Sequence, residues 1–150
     1  MDGNIVLCGF MGCGKTSVGK RAAKLMNRKF CDLDQYIERK EGLKVSQIFE
    51  RFGEAGFRER EAAAVREIAE KTNMVVACGG GTVLFPDNVQ AFHAGKGTIL
   101  YLDVPLPALQ ERLKGDRKRP LLQKPNRRKV IAELYEPVSY THLTLPTIRL

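Results

Sequence analysis

The chain predicts an α/β domain built on a parallel sheet with helices on both faces. Three observations lead there. Short apolar runs alternate with longer helix-like stretches, as strands and crossover helices do. The first run, residues 4–8, passes at once into a glycine-rich loop and then a helical stretch. Chemistry-bearing residues recur directly after the predicted strands, where open α/β sheets bind their ligands.

Each element has its own signal. Residues 4–8 are apolar and short, which suits a buried strand, and residues 17–26 form a helix with Val18, Ala22 and Leu25 on one face. Residues 29–33 give a second strand ending in Asp32-Leu33-Asp34, and residues 36–39 a short helix stopped at Gly42. Ser46 is the expected cap of a helix over 47–52, which Gly53 breaks. A long charged helix follows over 54–72, with an alanine face at Ala62, Ala63, Ala64 and Ala69. Residues 74–77 form a third strand, residues 86–93 a helix and residues 98–102 a fourth strand. Pro105 opens a helix over 108–113, and residues 114–125, with glycine, prolines and dense charge, form a loop. Asn126 caps a last helix over 127–135. The chain has no internal repeat and no low-complexity linker.

The 150 residues suffice for one domain with a real core. The net charge of +8 is concentrated between Arg112 and Lys129, where Asp and Glu are almost absent. No aromatic residues interleave with that block, which argues against single-stranded nucleic acid and for small anionic ligands. The four cysteines, Cys8, Cys13, Cys31 and Cys78, lack metal-ligand spacing and read as reduced thiols. No charged-then-apolar leader opens the chain and no apolar run reaches membrane-spanning length. The expectation is a cytoplasmic protein that binds neither nucleic acid nor membrane.

Gly9-Phe10-Met11-Gly12-Cys13-Gly14-Lys15-Thr16 is a complete phosphate-binding loop in the required strand–loop–helix setting. Its backbone amides can wrap a di- or triphosphate, Lys15 can reach the β and γ phosphates, and the Thr16 hydroxyl can ligate Mg²⁺. Gly12, Cys13, Gly14, Lys15, Thr16 and Ser17 are therefore the expected nucleotide contacts. Asp32 and Asp34 are one residue apart at a strand end, so an extended backbone turns both carboxylates to one side. One can hold a Mg²⁺ water shell while the other orients or deprotonates an attacking hydroxyl. Asp34 also suits the positive end of the following helix.

In Gly56-Phe57-Arg58-Glu59-Arg60-Glu61, Arg58 and Glu61 are three apart and can pair on a helix. Arg60 reads as part of a solvated salt-bridge face, whereas Arg58 can meet a carboxylate in bidentate fashion. Gly79-Gly80-Gly81 lets a ligand approach the backbone closely. Arg119, in Arg117-Lys118-Arg119-Pro120-Leu121-Leu122, is the candidate cation that closes over a transferring phosphate.

Together these segments resemble shikimate kinase. The phosphate loop, the paired aspartates, a G-F-R-x-x-E segment, the glycine triplet and an R-P-L-L lid follow in that family's order from about Asn4 to Glu136. The resemblance implies a nucleoside-monophosphate-kinase-like three-layer sandwich with a five-stranded parallel sheet. It implies transfer of the γ-phosphoryl of ATP to the 3-hydroxyl of shikimate, on the way to chorismate and the aromatic amino acids, by a monomer. It gives Lys15 the transferring phosphate, Thr16 and Asp32 the metal, and Asp34 the shikimate hydroxyls and the role of base. Arg58 takes the shikimate carboxylate, Gly79, Gly80 and Gly81 line the pocket, Arg119 closes over the phosphates and Arg112 lies near the adenine. Thr16 stands where serine is usual, and both supply a hydroxyl.

The resemblance fails after Glu136. The family pattern continues to an arginine that shares the shikimate carboxylate, then a fifth strand, an adenine loop and a last helix. Here Val138-Ser139-Tyr140-Thr141-His142-Leu143-Thr144-Leu145-Pro146-Thr147 resembles one reading frame of a transposon-end sequencing adapter. The expectation is an incomplete kinase domain over 1–136 and a non-native tail over 137–150. The sheet then lacks its final edge strand and last helix, the fourth strand is left unpaired, and the polypeptide as written is poorly stable and nearly inactive. Three other readings stand beside shikimate phosphorylation. One is another small-metabolite kinase, such as one for gluconate. The second is a nucleotide-binding protein without transfer activity, and the third a nucleic-acid binder that uses the basic block.

Overall fold

The computed structural model describes residues 3–9, 14–103, 105–112 and 147–149. Five strands form one sheet in the order β2-β3-β1-β4-β5. These are β1 (Ile5–Gly9), β2 (Lys29–Asp32), β3 (Met74–Ala77), β4 (Thr98–Asp103) and β5 (Thr147–Arg149). Every neighbouring pair is parallel. The helices are α1 (Lys15–Leu25), α2 (Leu33–Glu41), α3 (Val45–Ala69), α4 (Pro86–Ala94) and α5 (Leu106–Arg112). A short 3-10 turn, Thr82–Leu84, joins β3 to α4.

Two cores flank the sheet. The larger gathers Val6, Cys8, Leu33, Ile37, Ile48, Phe57, Ile68, Val76, Phe92 and Tyr101. The smaller gathers Leu7, Ala23 and Val75, with Ile5, Phe30 and Leu100 against them. Alternation along β1 explains the split, because Val6 and Cys8 face one side and Leu7 the other. At the amino rim Asn4 is 2% exposed. Its Nδ2 donates to the carbonyls of Ile68 (3.1 Å) and Lys71 (3.0 Å), and its Oδ1 accepts from the amide of Met74 (3.0 Å).

Four expectations need correction. The face of α1 that packs on the sheet centres on Gly19 and Ala23, and Leu25 is 75% exposed. A Cβ on Gly19 would lie 2.5 Å from the Phe30 ring, so the helix packs closely through glycine. Ser46 is not the cap of α3. That helix starts two residues earlier than expected, at Val45, with Lys44 at its N-cap, whose amide donates to Gln47 Oε1 (2.8 Å). Asp34 does not continue a strand, because β2 stops at Asp32 and α2 begins at Leu33. Finally, β4 is not left as an unpaired edge. Tyr101, Leu102 and Asp103 pair in parallel register with Thr147, Ile148 and Arg149. The expected helix over 127–135 and the loop over 114–125 lie outside the described residues.

Gly53 breaks the helical path as expected, so that two helical segments meet at a bend within α3. Its φ of 70° and ψ of −177° lie where only glycine is comfortable. The bend separates a half that packs Ile48 and Phe49 from one that carries Arg58 and Glu61. Arg60 spans it, with its guanidinium 3.8 Å above the Phe52 ring and its Nη1 donating to the Gly56 carbonyl (2.9 Å). Arg60 also meets Glu41 at 3.4 Å, so it is tied down rather than solvated. No described helix is long and apolar enough to cross a membrane.

Candidate active site

Strand register brings the suggestive residues to one rim. Leu7 and Asp32 both pair with Ala77, so Cys8-Gly9 at the end of β1, Leu33-Asp34 and Cys78-Gly79 lie side by side at the carboxyl edge of the sheet. The Cys78 amide extends the ladder one step, donating to the Leu7 carbonyl (3.0 Å).

The phosphate loop is described only at its ends, and Phe10, Met11, Gly12 and Cys13 lie outside the described residues. Gly14 is the N-cap of α1, and its φ of 95° requires glycine. Lys15, Thr16 and Ser17 form the first turn, the end of a helix that attracts anions. Lys15 folds back over the rim, and its Nζ donates to the Gly9 carbonyl (2.8 Å).

Asp32 and Asp34 divide their work differently from the extended-strand expectation. Asp32 is the N-cap of α2, and its Oδ1 accepts from the Gln35 amide (3.1 Å). Asp34 sits in the first turn. It keeps solvent contact but is crowded by protein, and this desolvation pushes its carboxyl up to about 6. The charges of Asp32, Glu61 and Glu38 push the same way, and only Lys15 opposes them. Asp34 therefore lies within reach of the charges of both Lys15 and Glu61 on the rim.

Glu61 is 1% exposed, a buried carboxylate on α3. Arg58 Nη1 donates to both its oxygens, at 2.9 and 3.2 Å. The Thr82 hydroxyl donates to Oε2 at 2.9 Å, and Asn88 Nδ2 in turn donates to the Thr82 carbonyl (3.0 Å). The Arg58 guanidinium lies 5.4 Å from both the Phe57 and Phe85 ring centres. A Cβ on Gly81 would lie 2.5 Å from Arg58 Nη2 and 3.0 Å from Cζ, so the last glycine of the triplet makes room for this side chain. Arg58 Nε is buried with no hydrogen-bond partner, and its Nη2 has a long contact with exposed Glu54 (3.6 Å). The guanidinium thus keeps donor capacity for an incoming anion.

Of the predicted residues, the structure gathers Gly14, Lys15, Thr16, Asp32, Asp34, Arg58, Gly79, Gly80 and Gly81 on this rim. Ser17 joins them on α1. Arg112 closes α5 with no side-chain description, and Arg119 lies outside the described residues. Sequence reasoning missed the burial of Glu61 and the parts of Thr82 and Asn88. A signal for Glu61 exists, because Phe57, Glu61, Ala64 and Ile68 recur at helical spacing and all four are buried. Among the described residues, no three of His, Cys, Asp and Glu gather as a metal cluster.

A family model for shikimate kinase matches residues 11–145. A shikimate kinase from Aromatoleum aromaticum is 49% identical over 87% of this chain and 74% of its own length. One from Nitrosomonas europaea is 46% identical over 90% of this chain and 64% of its own length. The solved shikimate kinase from Acinetobacter baumannii, in complex with shikimate, superposes with a TM-score of 0.88. It is 37% identical, with 99% of this chain and 83% of that one covered. By its rim, its fold and these matches, the chain belongs to the shikimate kinase family.

Proposed function

We propose that this site transfers the γ-phosphoryl of ATP to the 3-hydroxyl of shikimate, a step in aromatic amino acid biosynthesis, in the cytoplasm and as a monomer. The observation that carries the reading is the Arg58–Glu61–Thr82 network packed on Gly81. It sets the Arg58 guanidinium on the same rim as Asp34, whose carboxyl is pushed up to about 6, and the lysine of a phosphate loop.

Phosphoryl transfer asks chiefly for positioning and charge neutralisation. Lys15 exchanges the Gly9 carbonyl for phosphate oxygens and steadies them. Gly12, Cys13, Gly14, Thr16 and Ser17 contribute the loop and first-turn amides around the phosphates. Arg58 takes the substrate carboxylate, and Gly79, Gly80 and Gly81 let the ring approach the backbone. Asp34 binds the hydroxyls and accepts the proton of the attacking one, its basicity increased by the desolvation that raises its pKa. Arg119 and Arg112 are assigned the phosphates and the adenine by their motif positions alone.

A carboxylate and a hydroxyl from Asp32 and Thr16 suit Mg²⁺, which takes hard oxygen donors beside substrate phosphates and water. One Asp32 oxygen serves the helix cap and the other is left for the ion's water shell. Desolvation raises Asp34 most, and the neighbouring carboxylates that add to the rise are charges a cation would relieve. When bound, the ion would offset the charge of the β and γ phosphates.

Shikimate-dependent ADP release, with Lys15→Ala as the blank, tests the reading. Release driven by gluconate and not by shikimate overturns it. We assign residues 137–150 to a non-native tail on the strength of the string Val138 to Thr147, with slow turnover by the 150-residue chain as the consequence. Turnover at the rate of full-length relatives refutes that assignment.

A further inference from the structure

We infer that Thr82 is a positioning residue for the substrate carboxylate, acting through Glu61 on Arg58 and anchored by Asn88. The inference rests on the functional reading above. Glu61 Oε1 and Oε2 both accept from one nitrogen, Arg58 Nη1. Such a contact leaves the carboxylate free to swing about that nitrogen. The Thr82 hydroxyl removes the freedom by gripping Oε2 from the other side at 2.9 Å. Both Thr82 and Glu61 are sealed from solvent, so no bulk water substitutes for the hydroxyl.

Thr82 is itself held. Its amide donates to the Gly79 carbonyl (3.1 Å), and its carbonyl accepts from Asn88 Nδ2 (3.0 Å). The Asn88 amide bonds the Phe85 carbonyl (3.0 Å), and the Phe85 ring lies 5.4 Å from the Arg58 guanidinium. The first turn of α4 therefore fixes both the hydroxyl that orients Glu61 and the ring that faces Arg58. A guanidinium binds a carboxylate best when its plane is set beforehand, because the ordering entropy is then spent in folding.

The test is shikimate and ADP affinity by titration calorimetry on the full chain, for wild type, Thr82→Ala and Thr82→Ser, with thermal melts beside them. Thr82→Ala should weaken shikimate about tenfold and leave ADP within about twofold, as expected for a lost hydrogen bond to a charged group. Thr82→Ser keeps the donor and should bind shikimate within about twofold of wild type, a rescue that a purely structural role does not require. The inference falls if Thr82→Ala binds shikimate like wild type. It falls equally if shikimate and ADP weaken together, or if serine fails to restore what alanine loses. A wild-type chain that binds ADP and no shikimate overturns the functional reading itself, and this inference with it.

Discussion

Asn4 and Glu61 are both polar side chains sealed inside the protein, one at the amino rim of the sheet and one at the carboxyl rim. Asn4 is neutral and spends all three of its described side-chain bonds on backbone. It clamps the end of α3 to the start of β3, where carbonyls and amides would otherwise go unpaired. Glu61 is charged and bonds side chains, Arg58 and Thr82. Equal burial thus serves two ends. A neutral amide on backbone closes the fold at small cost. A buried carboxylate carries a desolvation penalty, and here it stands where another charge can be received.

The comparison can be broken in four ways. The largest effect belongs to Asn4→Ala, which orphans the Met74 amide and two carbonyls. We expect a loss of about 3 kcal/mol and a melting point lower by about 6–12 °C, with unchanged shikimate affinity in the folded fraction. A calorimetric melt that barely moves contradicts the clamp. Glu61→Gln should reverse the pattern, weakening shikimate about tenfold while lowering the melting point by less than Asn4→Ala does. Equal losses of stability from both variants would erase the distinction.

Gly81→Ala sharpens it. The glycine has an ordinary φ of −74°, so the backbone tolerates alanine, and the new methyl meets the movable end of Arg58. KM for shikimate should rise about fivefold, with stability within about 0.5 kcal/mol. The smallest effect concerns Asp34, whose carboxyl titrates near 6 in the folded chain against an ordinary 3.8. A raised acid favours the folded state when protonated. Its contribution is therefore full below about pH 4 and is lost as pH climbs through 6. Asp34→Asn should stabilise the protein at pH 8 and not at pH 4. The gain should stay under about 1 kcal/mol, because solvent contact screens the charge. Melts of both proteins at the two pH values decide it.

The sequence made the first four strands legible because each is a short, largely apolar run with glycine or aspartate at its end or within two residues of it, and the third falls on Met74–Ala77 as read, whereas β5 lies in the stretch read as a tail and was not foreseen. It misled at Asp34, because two carboxylates one apart look extended until a cap at Asp32 starts a helix between them. Leu25 was misplaced because helical spacing alone cannot tell that glycine and alanine, not leucine, let α1 approach Phe30. The pairing of Glu61 with Arg58 was legible from their spacing, but its burial was not, because its neighbours Glu59 and Arg60 are charged, although its period matches Phe57 and Ile68. Thr82 and Asn88 had no local signal, since their meaning comes from contacts 21 residues back in the chain and 6 residues apart.

Cys8, Cys31 and Cys78 are free thiols lodged in the interior. Burial pushes the sulfhydryls of Cys31 and Cys78 upward, Cys78 well above its ordinary value. Alkylating reagents and peroxide attack the thiolate, so these sulfurs should stay unlabelled for as long as the protein holds together. Labelling at 8, 31 or 78 would then mark the moment a molecule opens, and so serve as a clock for its unfolding.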